Sequence, residues 1–303
     1  MFKIVSIGDA EWVGRVMGLP RDRRDIHMDQ RMLAPYVVAY KWKAYLALTE
    51  SEDGYIIQPI LLTTSGEMKN AYNFGGPIAS NEDVEVEVIK EHSDSLKEWA
   101  KKHQVNSEYC TLIPNLAREQ IKALDFTADF KKLAVVVDLT DMKVRGTTRR
   151  LANRAQGMGV EVRSYSSDFL SYFIQIYNET MERVNAKDHW RFTSPWFQAF
   201  DRFVKPCIML AKYDGQFIAG CLIAYSQQYP VAYYHFAGCK DLFLGKGINQ
   251  QMVLAACEFI KLQGIQKLFL GGGITDKQDD GLLVFKSGFS PLKQPVYTYE
   301  RSL

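Results

Sequence analysis

A glycine-rich loop that leads into a helix is the first feature of this sequence that could do chemistry. The loop consists of Gly245, Lys246, Gly247, Ile248 and Asn249. The first N–H groups of a helix have no partner inside the helix, so a loop of this kind can bind a phosphate or another anion. An ordinary turn into a helix fits the same residues, and loop chemistry alone leaves both interpretations open.

A basic segment near the middle of the chain could also bind anions. It contains Lys143, Arg145, Arg149, Arg150 and Arg154. On a helix Arg145, Arg149 and Arg150 fall near one face, and guanidinium groups form paired hydrogen bonds with phosphate oxygens. We expect these arginines to bind the phosphates of a nucleotide- or lipid-linked acceptor. A solvated helix face is the alternative.

The stretch from Leu242 to Gly273 places the glycine loop before a helix and a strand. This arrangement resembles the acyl-CoA segment of the GCN5-related N-acetyltransferases (GNAT enzymes), whose loop pattern is Arg/Gln-x-x-Gly-x-Gly/Ala. Leu244 stands in place of the basic residue, and Asn249 in place of the last small residue. Both departures disfavour pyrophosphate binding, and therefore coenzyme A (CoA) as the donor.

The C-terminal stretch has a longer pattern. Gly271-Gly272-Gly273 is followed, after a short gap, by Asp280 to Ser290, with the sequence DGLLVFKSGFS. This resembles the signature of the FemAB/FemX family of non-ribosomal peptidyltransferases and of its GNAT-like relatives in surface-polysaccharide gene clusters. The signature is LGGG, a short gap, and then D-x-L-x-x-F-K-x-x-F-S.

Five further blocks resemble the same family, in the family's order. They are Arg24-Asp25-Ile26, Tyr72 to Pro77, Arg149 to Val160, Ile176 to Ala186 and Tyr234 to Gly238. The resemblance implies an α+β chain with two GNAT-like domains in tandem. We place the N-terminal domain at 1–138 and the C-terminal domain, which carries the catalytic motif, at 139–303.

The resemblance also implies a reaction. The family joins an activated acyl group, usually an aminoacyl ester on tRNA, to an amine of a cell-wall precursor. Lys286 stands where the family has its catalytic lysine, so its ammonium is expected to stabilise the tetrahedral oxyanion. The backbone carbonyl of Phe285 is expected to orient the attacking amine.

Several other residues are candidates for substrate binding. They are Tyr72, Asn73, Phe74, Gly75 and Gly76, which could line an acceptor groove between the domains, and Glu179, Arg183, His235, Gly271, Gly272, Gly273 and Asp280. Glu179 and Arg183 are one helical turn apart and could simply pair with each other.

Two of these candidates allow more than one role. His235 could accept the proton that the amine loses, and the substrate itself is the alternative acceptor. Asp280 fits the N-cap of the last helix, where it would position Lys286.

The hydrophobic pattern predicts the elements that must position these residues. A hairpin is expected from Lys43–Thr49 and Tyr55–Thr63, and helices over Ser80–His103, Met142–Gly157, Asp168–Val184, Gly247–Gln263 and Asp280–Lys286. Strands are expected over Leu133–Leu139, Cys207–Tyr213, Phe217–Tyr225, Val231–Phe236 and Lys267–Leu270. Residues 1–35 are expected to be irregular.

Composition excludes several classes of protein. Of 303 residues 47% are hydrophobic and 24% charged, with 37 Lys and Arg against 35 Asp and Glu, a net charge of +2. This composition excludes a disordered chain and a strongly basic nucleic-acid coat. The five cysteines include no C-x-x-C pair, so we expect neither a disulfide framework nor a zinc site, and a reducing compartment fits.

Other motifs are missing from the sequence. There is no signal-peptide pattern and no apolar run long enough for a membrane span, so we expect a cytoplasmic protein that can act at the inner face of the membrane. There is also no P-loop, no serine-hydrolase elbow and no H-E-x-x-H. The segment between Arg163 and Cys207 is too short for the coiled-coil tRNA arm of some family members.

The preferred function is transfer of an aminoacyl group from aminoacyl-tRNA to an amine of a peptidoglycan or surface-glycan precursor, with no tightly bound cofactor or metal. One alternative is an acyl-CoA-dependent N-acyltransferase that acts on an amino sugar or polysaccharide precursor. A second alternative is a non-catalytic module that binds a glycan or a nucleic acid. The expected partners are a nucleotide- or lipid-linked precursor and tRNA.

Overall fold

The chain forms two compact units. The computed structural model describes residues 1–114, 116–123 and 127–303, and of Asn73 only the backbone. The first unit comprises Met1–Lys132 and Gln294–Leu303, and the second comprises Leu133–Lys293. Each unit combines helices with strands, as expected for the α+β class. Relative to the predicted domains 1–138 and 139–303, residues 133–138 belong to the second unit and the last ten residues return to the first.

The first unit contains these helices and strands: β1 (Phe2–Ser6), α1 (Ala10–Gly18), α2 (Gln30–Tyr40), β2 (Lys43–Glu50), β3 (Tyr55–Leu62), β4 (Glu67–Lys69), β5 (Phe74–Gly75), β6 (Ile78–Ala79), α3 (Val86–Lys102), β7 (Ser107–Leu112), α4 (Ala117–Lys122), the start of β8 (Asp129–Asp138), and nearly all of β14 (Lys293–Ser302). The strand order is β1-β2-β3-β4-β7-β14, with β6 beside β3 and β5 beside β7. The predicted hairpin β2–β3 is confirmed.

The first 35 residues are regular, contrary to the prediction. Strand β1 pairs antiparallel with β2, from Phe2 opposite Thr49 to Ser6 opposite Tyr45. Asp9 caps α1 by accepting the N–H of Glu11, and the side chain of Trp12 is fully buried. Both elements are short, so their hydrophobic periodicity is brief. Their stability comes from partners that are distant in sequence.

Helix α3 begins later than predicted. It was predicted over Ser80–His103, but it starts at Val86. The hydroxyl of Ser80 instead accepts the N–H of Tyr55 at 3.0 Å, and the Asn81 amide donates to the carbonyl of Asp53 at 2.7 Å. These polar side chains therefore close the turn of the β2–β3 hairpin, which competes with their use as helix caps.

The second unit contains the rest of β8 followed by these elements: α5 (Gly146–Gly157), β9 (Glu161–Tyr165), α6 (Leu170–Arg183), α7 (Ser194–Val204), β10 (Cys207–Tyr213), β11 (Gln216–Ala224), β12 (Val231–Cys239), α8 (Ile248–Leu262), β13 (Lys267–Gly272) and α9 (Gly281–Lys286). The strand order is β9-β10-β11-β12-β13-β8. All neighbours are antiparallel except β12 and β13, which are parallel.

Helices cover both faces of this second sheet. On one face, Met209 and Cys221 of the sheet share a core with Ala155 of α5 and Ile248 of α8. Alternate strand residues point to the other face, where Phe236 packs edge-on against Trp196 of α7. Helices α5 and α8 also pack against each other, and that contact positions the site described below.

The five cysteines are buried free thiols. None of the helices in the described ranges is both long and apolar enough to span a membrane.

A buried carboxylate in the first unit holds the C-terminal strand. Glu108 of β7 is 2% exposed. One of its oxygens accepts hydrogen bonds from Gln58 of β3 at 2.5 Å and from the Tyr299 hydroxyl of β14 at 2.8 Å. The other oxygen accepts from Arg301 Nε at 2.7 Å. Three strands therefore meet at one ionised group whose oxygens are hydrogen-bonded, as a buried charge requires.

Replacing Glu108 by Gln should destabilise the protein by about 3 kcal/mol, because Arg301 would lose its buried counter-charge. The matched control is Glu300→Gln on the exposed side of β14, which should change stability by less than about 0.5 kcal/mol. Urea unfolding of the two variants measures the difference. Equal midpoints for both variants would mean that the network does not stabilise the unit.

Candidate active site

The parallel strands β12 and β13 part at their carboxyl ends. Their pairing covers Val231 opposite Lys267 to Tyr233 opposite Phe269. Beyond that point β12 continues beside β11, while the pairing of β13 with β8 shifts register between Phe269 and Gly271. Within the described residues no ladder joins the two strands after Tyr233. Strand edges that part in this way can pair with the amide groups of a bound molecule.

Lys286 lies at this opening. It is the last residue of α9, and its Nζ donates to the carbonyl of Gly272, at the end of β13, at 2.8 Å. Gly271 has a φ of +80°, and a Cβ at that position would lie 3.3 Å from the Lys286 Nζ. A glycine is therefore favoured at 271 both by its backbone conformation and by the close ammonium. Gly271 and Gly272 thus lie beside Lys286, and a role of Gly271–Gly273 in substrate binding stays a prediction.

Asp280 positions α9, as predicted from its N-cap spacing. One carboxylate oxygen accepts the N–H groups of Leu282 and Leu283, which begin the helix. The other accepts from the backbone N–H groups of Ile274 and Thr275 and from the Thr275 hydroxyl. These hydrogen bonds to the charged form lower the pKa of Asp280 to about 2. One carboxylate thus holds both the loop after β13 and the start of the lysine helix.

The backbone carbonyl of Phe285 is already hydrogen-bonded. It accepts the N–H of Gly288 at 3.1 Å in the turn that ends α9. The ring of Phe285 meets Phe289 edge-on, with 5.3 Å between centroids. A carbonyl oxygen has two lone pairs, so this one can accept a second hydrogen bond. Its role in orienting an amine stays a prediction.

The basic helix α5 begins against this turn. The backbone N–H of Arg145 donates to the carbonyl of Gly288 at 2.9 Å. A side chain at Gly288 would collide with the hydroxyl of Thr148. Thr148 was not among the predicted site residues, and its position within the basic segment was the only signal for it. Arg145, Arg149 and Arg150 are exposed.

The glycine loop, which precedes α8, also packs against α5. Gly247 precedes α8 with a φ of +88°, and a Cβ there would overlap the backbone carbonyl of Leu151 in α5. The contact between the two helices therefore requires glycine at position 247. Anion binding would require a glycine at the same place, and sequence spacing alone could not tell these two reasons apart. Ile248 is buried and Asn249 half-buried. The ammonium of Lys246 lies over the Phe243 ring, 5.1 Å from its centroid, and Gly245 is exposed.

Glu179 and Arg183 do not pair with each other. The carboxylate of Glu179 accepts from Gln175 at 2.9 Å. Arg183 donates to the carbonyl of Cys239 at 2.8 Å and lies 3.8 Å from the carboxylate of Asp241. The predicted i,i+4 pair was wrong because Arg183 instead ties α6 to the end of β12.

His235 of β12 is half-buried among aromatic rings. It stacks on Tyr233 with 5.6 Å between centroids and meets Phe200 edge-on at 6.3 Å. A role as proton acceptor remains a prediction.

The predicted acceptor loop belongs to the first unit. Tyr72 has a φ of +53°, and its backbone N–H donates to the Tyr36 hydroxyl at 2.8 Å. The ring of Phe74 lies 5.0 Å from that of His27. Gln120 donates to the carbonyl of Gly75 at 2.5 Å. A side chain at Gly76 would approach Leu112 to 3.0 Å, at a φ of +97°. The backbone of Asn73 lies in the same turn.

Metal chemistry has no obvious ligand set in this structure. Within the described part of the chain, no group of three or more His, Cys, Asp or Glu side chains is placed to hold a metal ion.

The fold and this site define a class of protein. Residues 170–289 match the model of the acetyltransferase (GNAT) family. The match runs from α6 through α9, and so covers the parted strands, the glycine loop and Lys286. The prediction of an acyltransferase is therefore confirmed at the level of the domain family.

Solved structures show the particular arrangement. FemX aligns over 98% of this chain and 97% of its own, with 14% identity and a TM-score of 0.70. The C-terminal domain of a putative lysylphosphatidylglycerol synthetase from Agrobacterium fabrum aligns over 95% and 91%, with 17% identity and a TM-score of 0.63. A tandem GNAT protein from the clavulanic acid biosynthesis pathway aligns over 99% and 98%, with 11% identity and a TM-score of 0.57.

The predicted FemX-like, tandem GNAT architecture is therefore confirmed as a fold. A sequence search of curated proteins finds no match.

Replacing Asp280 by Ala should loosen the lysine helix and the loop after β13 together. Loss of this cap should lower the local free energy of unfolding by about 1–2 kcal/mol. Amide exchange should therefore become roughly 5- to 30-fold faster at Ile274, Thr275, Leu282 and Leu283. Hydrogen exchange followed by mass spectrometry measures this change. Asp279→Ala, one residue earlier and exposed, is the control and should leave these amides unchanged.

The pH dependence of the same amides follows from the direction of the pKa shift. Because the pKa of Asp280 is lower in the folded state, its stabilising effect is complete above about pH 4 and is lost as the pH falls through about 2. Protection that stays constant down to pH 2 would contradict the assignment of Asp280 as the anchor.

Proposed function

We propose that this protein transfers an aminoacyl group from aminoacyl-tRNA to an amine of a peptidoglycan or surface-glycan precursor. The observation that carries the proposal is the position of Lys286. Its ammonium is held at the carbonyl of Gly272, 2.8 Å away, where the strands β12 and β13 part. An anion that forms at this opening would meet a fixed positive charge.

The reaction requires such a charge. The amine nitrogen attacks the ester carbonyl carbon, the C–N bond forms, and the carbonyl oxygen becomes an oxyanion. The tetrahedral intermediate then collapses, the C–O ester bond breaks, and the ribose oxygen of the tRNA leaves with the proton that the amine has lost. A donor that is already oriented towards the oxyanion lowers the barrier, typically by about 3–4 kcal/mol.

The donor loop favours an aminoacyl ester over acyl-CoA. The pattern that binds the CoA pyrophosphate is interrupted at Leu244 and Asn249, and the conformation of Gly247 is explained by its contact with Leu151. An ester on tRNA does not need this pattern.

The acceptor is proposed from the resemblance to the FemAB/FemX family. The name lysylphosphatidylglycerol synthetase denotes a protein that makes an aminoacylated lipid, and this supports aminoacyl transfer as a reaction of the shared fold. A lipid-linked precursor would bring the protein to the inner face of the membrane from the cytoplasm.

An acyl-CoA-dependent N-acyltransferase acting on an amino sugar is the second candidate. It is favoured by the match of residues 170–289 to the acetyltransferase family. The two candidates differ in the donor, so one donor comparison separates them.

The experiment measures transfer from a panel of radiolabelled aminoacyl-tRNAs, and from acetyl-CoA, to a nucleotide-linked muropeptide and to a nucleotide-linked amino sugar. We expect transfer from at least one aminoacyl-tRNA and none from acetyl-CoA. Lys286→Met should lower kcat by about 10²- to 10³-fold, because the oxyanion loses its donor. The control Lys261→Met, on the exposed end of α8, should keep full activity.

Two results would contradict the proposal. Acetyl transfer without aminoacyl transfer would assign the second candidate. Full turnover by a correctly folded Lys286→Met variant would remove Lys286 from the mechanism.

A further inference from the structure

Helix α5 presents several arginines that pair with no Asp or Glu of the described residues. Between Lys143 and Val160 the sequence contains no Asp or Glu. Arg145, Arg149, Arg150 and Arg154 are all exposed, and none of them forms an ion pair with a described residue. Lys143, by contrast, pairs with Asp141 at 3.1 Å. From Arg145 to Arg154 is nine residue steps, which is about 14 Å along the helix axis.

This arrangement is unfavourable for an isolated helix. The amino end of a helix carries partial positive charge, so cations are disfavoured there, yet Arg145 is the N-cap residue and has no side-chain capping bond. Arg145 and Arg149 are one turn apart and repel each other. Unfavourable local charges that the protein itself does not neutralise indicate a functional site. A bound anion would neutralise the arginines here.

The position of these arginines points to the donor. The amino end of α5 is bonded to Gly288, two residues after Lys286. Its middle, at Leu151, contacts Gly247 at the amino end of α8. The arginines therefore extend from the turn behind the candidate catalytic lysine, along a helix that also touches the donor loop. Two helix amino ends add to the positive potential of the same region.

The rest of the exposed face favours RNA over a membrane. The other exposed residues of this helix are polar or glycine, among them Thr147, Asn153 and Gln156. A helix that binds a membrane surface needs exposed apolar side chains, and the apolar side of α5 is packed into the core through Ala152 and Ala155. Arginine, amide and hydroxyl groups are the side chains that contact phosphates and sugars of nucleic acids.

We infer that the exposed face of α5 binds the sugar–phosphate backbone of the donor tRNA and thereby delivers its aminoacyl end to Lys286. This inference rests on the proposed function, and it replaces the predicted role of Arg145, Arg149 and Arg150 in binding the acceptor.

The test measures binding of deacylated tRNA by fluorescence anisotropy at several salt concentrations. The variant carries Arg145→Gln, Arg149→Gln and Arg150→Gln. The control carries Lys90→Gln, Lys101→Gln and Lys102→Gln on the exposed side of α3, which removes the same net charge from the first unit. Each lost phosphate contact should reduce the slope of log K against log salt by about 0.7–0.9.

We expect the α5 variant to lose about 2–3 from the salt slope and to bind tRNA at least tenfold more weakly at 0.1 M salt, whereas the control keeps the wild-type slope. Thermal melting by circular dichroism should show that both variants are folded. Equal losses in the two variants, or no loss in the α5 variant, would overturn the inference.

Other ligands are separate arms of the same experiment. One such result is an α5 variant that binds tRNA normally but loses binding to acetyl-CoA. Another is a variant that binds tRNA normally but loses binding to vesicles of phosphatidylglycerol and phosphatidylcholine. Either result would also overturn the inference. The proposed function is tested independently, since deacylated tRNA needs no chemistry to bind. Binding of tRNA through α5 without any aminoacyl transfer would support this inference while contradicting the proposed function. Aminoacyl transfer by the α5 variant with an unchanged KM for aminoacyl-tRNA would support the proposed function and contradict this inference.

Discussion

The candidate site depends on one hydrogen bond, from the Lys286 ammonium to the carbonyl of Gly272. A lysine side chain has four rotatable bonds and is normally mobile, and much rotamer freedom is lost when it is fixed. The bond holds the ammonium against the last residue of β13. The position of that residue depends in turn on the shifted pairing of β13 with β8 and on the φ of Gly271. The catalytic proposal thus rests on backbone geometry as much as on the identity of the lysine.

That geometry is stabilised by a few short-range contacts. Asp280 holds the loop and the start of α9 at once, and the turn after α9 contacts the start of α5 through Gly288. Helix α5 contacts the glycine loop through Leu151. Three segments that are far apart in sequence are therefore fixed to one another by backbone groups and glycines, and side chains larger than glycine would disrupt two of the contacts.

The sequence predicted this site better than it predicted the start of the chain. The strands β10 to β13 and the cap at Asp280 follow from alternation and N-cap chemistry, which are local. Strand β1 could not be predicted because it pairs with a strand that is distant in sequence, from Phe2 opposite Thr49 to Ser6 opposite Tyr45. The start of α3 was misplaced because Ser80 bonds to Tyr55 and does not cap the helix. The Glu179–Arg183 pair failed for a similar reason, since Arg183 has a tertiary partner in Cys239.

The two units treat buried and exposed charge in opposite ways. In the first unit Glu108 is enclosed and hydrogen-bonded by Gln58, Tyr299 and Arg301, so its charge is used within the fold. In the second unit the arginines of α5 lie at the surface, and no acidic side chain in the described part of the chain pairs with them. A protein gains little stability from exposed like charges on one helix. Their concentration on a helix whose amino end bonds to the turn after Lys286 is explained if the charge that neutralises them comes with the substrate.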